Sequence, residues 1–258
     1  MNQPSEISET ISRRDFTHQA LGSLLAFSFM QWAAGRDLFA DNVKPPVTKW
    51  LSEVNQLGWD LKGQMLKQTE WQKQIETLYT KADVPSFLKL IDFEKLTKDL
   101  KLADHGEKSL RVKFPQVEGI PAKLAFGQQI FALKQGASVV PHGHNNMATA
   151  FLMLDGEFHG RHYDRVQDEK EHILIRPTID RKFTVGECST VSDEKDNVHW
   201  FKALSPTAFI YNIHVMDVQP GSKLTTGRVY LDPNGEKLSD GMIRAKRVDY
   251  DTVHKLYG

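Results

Sequence analysis

Pro141-His142-Gly143-His144-Asn145-Asn146-Met147 is the stretch on which the reading of this chain turns. Side chains along an extended segment alternate between faces, so two histidines one residue apart point the same way. A third imidazole on a neighbouring strand would complete three neutral nitrogen ligands and leave coordination positions open for reactants. The residue expected to supply it is His199, far downstream in Asn197-Val198-His199-Trp200-Phe201. This is the pattern of a mononuclear catalytic metal site. It asks for a sheet-rich scaffold that sets distant strands side by side.

The flanking sequence has that character. From residue 106 onward, short β-prone runs follow one another at 110–114, 122–133, 138–140, 148–154, 158–163, 172–175, 182–185, 198–203 and 208–215. Turn residues such as Lys134-Gln135-Gly136 and Asp155-Gly156 separate them, with no helical period between. Many short strands without helices imply a mainly β fold, an antiparallel sandwich or jelly-roll barrel. Asp155-Gly156 reads as a hairpin turn, because glycine readily takes a positive φ. That hairpin would lay 158–163 beside the strand that follows the histidine pair. Gly227-Arg228-Val229-Tyr230-Leu231-Asp232 with Gly235 reads as a closing hairpin, and 243–257, polar and partly basic, as a solvated edge.

Ahead of the strands, apolar residues recur at three- and four-residue intervals: Trp50, Leu51, Val54, Leu57 and Leu61, then Met65, Leu66, Trp71, Ile75 and Leu78. Pro85-Ser86 opens a third such pattern, running from Phe87 to Leu96. These stripes predict three amphipathic helices packed against the next domain. Further upstream, Ser12-Arg13-Arg14-Asp15-Phe16-Thr17 precedes an uncharged apolar run over 20–34. Paired arginines before such a run form a twin-arginine export signal. The run is shorter than the roughly 20 residues that a membrane-spanning helix needs. The organisation read from sequence is a signal over 1–40, a helical N-terminal extension over 41–105 and a barrel over 106–258. The expected location is periplasmic; an uncleaved signal would leave the protein anchored in the inner membrane.

Composition narrows the function. The 258 residues are 40% hydrophobic and 26% charged, ordinary values for a soluble globular chain. Lys+Arg and Asp+Glu both number 33, no basic stripe is present, and nothing asks for nucleic acid. A single cysteine, Cys188, excludes an internal disulfide and a cysteine-cluster metal site, and reads as a packed thiol. Of ten histidines, His142, His144, His159, His162 and His172 crowd one short segment, which again points to a metal. His162 and His172 read as exposed.

Gly136…His142-Gly143-His144…Gly156, followed by Gly186…His199, resembles the two-part histidine signature of the cupin superfamily. That signature normally carries a glutamate just after the histidine pair, where this chain has Asn146, Met147, Ala148 and Thr149. The departure resembles the cupins that hold iron with three histidines, the thiol dioxygenases. Pro141 to Met147, continuing to Asp155-Gly156-Glu157-Phe158-His159 and Tyr163-Asp164, is similar to the corresponding segment of the cysteamine dioxygenase and plant cysteine oxidase family. Asn197-Val198-His199-Trp200-Phe201-Lys202-Ala203-Leu204-Ser205-Pro206 looks like that family's third-ligand strand.

The resemblance implies a cupin (jelly-roll) barrel in which His142, His144 and His199 hold Fe(II). It also implies that both atoms of O₂ enter a small-molecule thiol to give a sulfinic acid. Strand parity adds His159, Arg161 and Tyr163 as pocket residues, with Arg161 placed to meet a substrate carboxylate. Tyr211 stands where the family has an aspartate, and the family's Pro-Pro-Tyr turn is absent, so the metal chemistry carries over while the substrate does not. The partners implied are the thiol, O₂ and the twin-arginine translocation machinery, with membrane contact only through an uncleaved signal. Two alternatives stand beside this reading: a cupin using Mn, Ni or Zn on a non-thiol substrate, and a non-catalytic metal- or ligand-binding module.

Overall fold

The apolar stripes of the lead-in fold as helices, α1 (Val47–Lys62), α2 (Gln68–Tyr79), α3 (Val84–Leu90) and α4 (Phe93–Thr97), except that Met65 and Leu66 fall in the turn between α1 and α2, where Met65 is exposed. A computed structural model describes residues 46–258; the export signal read at 1–40 lies outside the described residues. The third pattern breaks into two short helices because Asp92 takes a left-handed φ of 50° between them. Among the described residues, no helix is long and apolar enough to cross a membrane.

Eleven strands follow: β1 (Lys108–Leu110), β2 (Gly127–Lys134), β3 (Ser138–Asn145), β4 (Met147–Asp155), β5 (Phe158–Asp168), β6 (His172–Phe183), β7 (Cys188–Val191), β8 (Val198–Ala203), β9 (Thr207–Met216), β10 (Gly227–Lys237) and β11 (Ile243–Arg247). A last helix, α5, spans Tyr250–Tyr257. One sheet has the order β1-β2-β9-β4-β7; the other closes on itself as β10-β11-β6-β5-β8-β3. The chain is mainly β, a jelly-roll barrel with a helical N-terminal extension, as its pattern predicts.

Three apolar layers result. Phe87, Trp50, Trp71 and Ile75 of the helices pack on the outer face of the open sheet, against Tyr211, Ile213 and Ile130. Between the sheets lie Phe131, Phe151, Ile210, Phe158, Phe183 and Phe201, drawn from both. Inside the closed sheet lie Ile173, Ile175, Val198, Leu231 and Ala245. Each layer removes large side chains from water, worth about 1.5–3 kcal/mol apiece.

Two expectations are corrected here. Asp155-Gly156 does not form a hairpin: β4 pairs with β7 and β9, whereas β5 pairs with β6 and β8. The turn carries the chain from one sheet to the other. Gly156 is required twice over, by its φ of 75° and because a Cβ would lie 2.5 Å from the Thr207 carbonyl oxygen. Residues 243–257 are likewise no solvated edge. They build β11 and α5, with Ala245 and Val253 fully buried, because β11 must pair with β10 and β6 to close the ring.

Candidate metal centre

Local geometry in β3 begins with Pro141, which lacks the N–H a strand interior needs. Val139 pairs with Phe201 and His142 with His199, so one extra residue is accommodated on β3 and Pro141 falls inside a bulge. The bulge shifts the alternation, turning His142 and His144 to the same side as Val139, between the sheets. Both histidines lie within β3 rather than ahead of a strand.

His199 in β8 faces them directly. Ring centroids are 4.2 Å apart for His142 and His199, 5.0 Å for His144 and His199, and 5.1 Å for His142 and His144. One ring nitrogen from each lies within 4.8 Å of the others, and all three residues are buried. No carboxylate belongs to this cluster of described residues. Nδ1–H of His142 donates to the Val140 carbonyl at 2.7 Å, which leaves Nε2 as the lone-pair nitrogen. That Nε2 is buried without a hydrogen-bond partner, and so is Nδ1 of His199. His144 Nδ1 meets the Thr149 hydroxyl at 3.2 Å.

An unpartnered buried imidazole nitrogen costs about 1–3 kcal/mol, so such atoms are expected where something coordinates them. Burial holds His142 and His199 well below the ordinary imidazole range and His144 down to about 3; the Arg228 charge acts in the same direction. The rings are therefore neutral at neutral pH, the form that ligates a metal. Three neutral imidazoles, two of them with an orphaned ring nitrogen, fit a transition-metal ion.

Asn197 fixes the strand that carries the pair. Its amide donates to the His144 carbonyl at 2.9 Å and to the Ser192 carbonyl at 2.9 Å, while its oxygen accepts from His144 N–H at 3.3 Å. Gly143 leaves room for this: a Cβ there would come within 2.7 Å of Asn197 Oδ1.

The other residues predicted from sequence lie elsewhere. Arg161 opposes Trp200, the neighbour of His199, and so occupies the reverse face of the sheet. There it stacks 4.7 Å from the Trp200 ring and shares Asp180 with His159. Tyr163 is buried with Ile173 and Val198 inside the closed sheet. Tyr211 points at the helices, 4.7 Å from the Phe87 ring, and donates to Gln128. None of the four joins the histidine cluster: for His159, Arg161 and Tyr163, parity counted from a hairpin fails once the turn switches sheets, and Tyr211 lies on the helix-facing side of β9.

Residues missed from sequence take their places. His162, read as exposed, is fully buried opposite His199, their rings 6.1 Å apart, with its Nε2 3.0 Å from the Ser189 hydroxyl. The signal lay in β5 itself, where Phe158, Gly160 and His162 form the apolar and small face. His172 is partly buried near Glu169. Asn212 alternates with Tyr211 toward the middle layer, and its Oδ1 is buried without a partner. Phe151 packs 4.9 Å from His199. Cys188 is a packed thiol, pushed up to about 12 by burial.

No protein-family model and no curated protein matches the chain. Solved structures align with part of the chain. Procruciferin, an 11S globulin from Brassica napus, is 14% identical over 36% of this chain and 21% of its own, with a TM-score of 0.29. An uncharacterized conserved protein with a double-stranded beta-helix domain from Klebsiella pneumoniae is 10% identical over 52% of this chain and 85% of its own, with a TM-score of 0.33. A cupin superfamily protein from Desulfitobacterium hafniense is 13% identical over 47% of this chain and 88% of its own, with a TM-score of 0.31. The chain spans about a fifth of the length of the first of these, 21%.

Proposed function

We propose that this protein is a non-haem Fe(II) dioxygenase that oxidises a small-molecule thiol to a sulfinate with O₂. The observation that carries the reading is a buried cluster of three neutral imidazoles with no carboxylate among them. Bound to His142, His144 and His199, an Fe(II) ion would keep its full charge, hold a thiolate and O₂ in neighbouring positions, and supply the redox chemistry.

The chain's own residues supply the surroundings. The hydrogen bond from His142 to Val140 fixes the ring that must present Nε2. Thr149 and Asn197 hold His144 at its ring and its backbone. Phe151, Phe131 and Phe201 form an apolar wall that keeps water from the cluster. The partners in this reading are the thiol, O₂ and the twin-arginine translocation machinery.

O₂ uptake by anaerobically iron-reconstituted protein over a panel of small thiols tests it, with each thiol followed by mass spectrometry. The expected result is uptake coupled to a product two oxygen atoms heavier, lost in His142→Ala together with bound iron. Iron-loaded protein that consumes no O₂ with any thiol would move the site to Mn, Ni or Zn chemistry on a non-thiol substrate. Stoichiometric metal binding with no turnover on any substrate would make the barrel a binding module.

A further inference from the structure

A cavity of about 190 Å³ reaches the metal centre at His144, which lines it together with Arg165 of β5 and with Gln219, Ser222 and Leu224 of the loop that joins β9 to β10. These walls are held in different ways. Arg165 donates from Nε and Nη2 to the two carboxylate oxygens of Asp168, at 2.9 and 2.6 Å. From Nη1 it donates to the His144 carbonyl at 3.2 Å and to Asn145 Oδ1 at 2.7 Å. A forked charge pair of this kind makes a firm wall.

The loop is anchored at its base, where Val218 is buried and its carbonyl accepts from Gln64 Nε2 at 2.7 Å. Beyond that point one residue holds it. Among the described residues, the one hydrogen bond between 219–224 and the rest of the molecule runs from Gln219 N–H to Asn146 Oδ1, at 2.7 Å. Asn146 Nδ2 donates to the Thr226 hydroxyl at 3.2 Å, and that hydroxyl donates to Asp217 Oδ1 at 2.6 Å, so the same side chain ties both limbs of the loop. Asn146 is itself buried, with a φ of 55° that asparagine tolerates better than most residues. Two neutral hydrogen bonds hold less firmly than a forked ion pair, so the loop is the wall that yields first.

The cavity is also small. Pockets for small molecules commonly measure about 300–1,000 Å³. With the loop in place only a compact reactant fits, and a bulkier one needs the loop to swing aside.

We propose that 219–224 form a lid over the route to the metal and that Asn146 is the positioning residue that latches it. The lid sets the size of reactant admitted to the three-histidine centre. The inference rests on the metal-site reading above and deepens it; it does not depend on the reactant being a thiol.

Two measurements on the full chain test it. The first is limited trypsin digestion, following the bond after the exposed Lys223 by mass spectrometry. Asn146→Gly removes the latch and suits the positive φ; it should speed this cleavage about ten- to a hundred-fold, the loss of two net hydrogen bonds. Asn146→Asp, which keeps the acceptor for Gln219 N–H, should restore most of the protection. Thr226→Val, which removes one latch partner and leaves Asn146 in place, should fall between and serves should Asn146→Gly not fold.

The second measurement is stopped-flow association of azide and of benzimidazole with Co(II)-loaded protein, read from the cobalt absorption bands. Opening the latch should speed benzimidazole by a factor similar to the gain in cleavage and leave the small azide nearly unchanged, a split that general loosening of the fold would not produce. Equal cleavage after Lys223 in wild type and both latch variants, or equal acceleration of both probes, would overturn the lid. A chain that binds no cobalt would remove the metal site and the lid's role with it. Failure of every thiol to drive O₂ uptake, with the benzimidazole split intact, would count against the thiol reading and support the lid.

Discussion

Five imidazoles, those of His142, His144, His162, His199 and His214, are held below their ordinary range, in each case chiefly by burial. This ties stability to pH through individual residues. In the unfolded chain they take protons near 6.5, whereas His144 and His162 in the folded protein take them only at about 3. Between those values the unfolded chain binds more protons, so stability is complete above 6.5 and is lost as pH falls through the window. At about pH 5.5 each such histidine costs roughly 1 kcal/mol, in a range where most carboxylates remain ionised. The thermal midpoint of the metal-free protein should therefore fall steadily between about pH 7 and about pH 5. His162→Gln, which removes one of these groups outside the ligand set, should flatten the slope. A midpoint that stays level across that range would show that the imidazoles are not held neutral by the fold.

The strands show why some of the site was legible in the sequence and some was not. His142 and His144 could be paired because a two-residue spacing on an extended segment has one geometric meaning. His199 could be joined to them only through the resemblance around it. What failed was face assignment. Residues 208–215 are apolar almost throughout and form a strand buried on both faces, so no alternation told Tyr211, toward the helices, from Asn212, toward the site. For β5 the alternation was present, but Asp155-Gly156 was read as a hairpin when it is a passage between sheets, and the wrong face followed. The open sheet thus separates two jobs, with helices on one side and the metal centre on the other. Phe87→Ala tests that separation. Phe87 is fully buried against Trp50, Phe114 and Tyr211, and its loss should lower stability by about 3–5 kcal/mol in denaturant unfolding. Metal stoichiometry at saturation should not change. A folded variant that no longer binds metal would mean that the layers are coupled through the sheet.

The three ligands come from strands more than fifty residues apart in the chain, and the helices share a core with the open sheet, so the centre exists only once the whole molecule has folded. A protein of this kind is best loaded with metal before it leaves the compartment that controls metal supply. Twin-arginine export, which carries folded cargo, meets that need, and Arg13-Arg14 ahead of an uncharged apolar run is the sequence feature that would direct it. We propose that the chain folds and acquires its metal in the cytoplasm and is then delivered to the periplasm. Replacing Arg13 and Arg14 together with lysine keeps the charge and removes the paired guanidinium groups that the signal requires. The double variant should accumulate in the cytoplasm as folded, metal-bearing protein, while the unaltered chain is recovered from the periplasmic fraction. Protease protection in fractionated cells reads the location, and metal content of the purified fractions reads the folding state. Periplasmic recovery of the double variant at the level of the unaltered chain would remove the export signal from this reading. The three-histidine centre would stand, without its route to the periplasm.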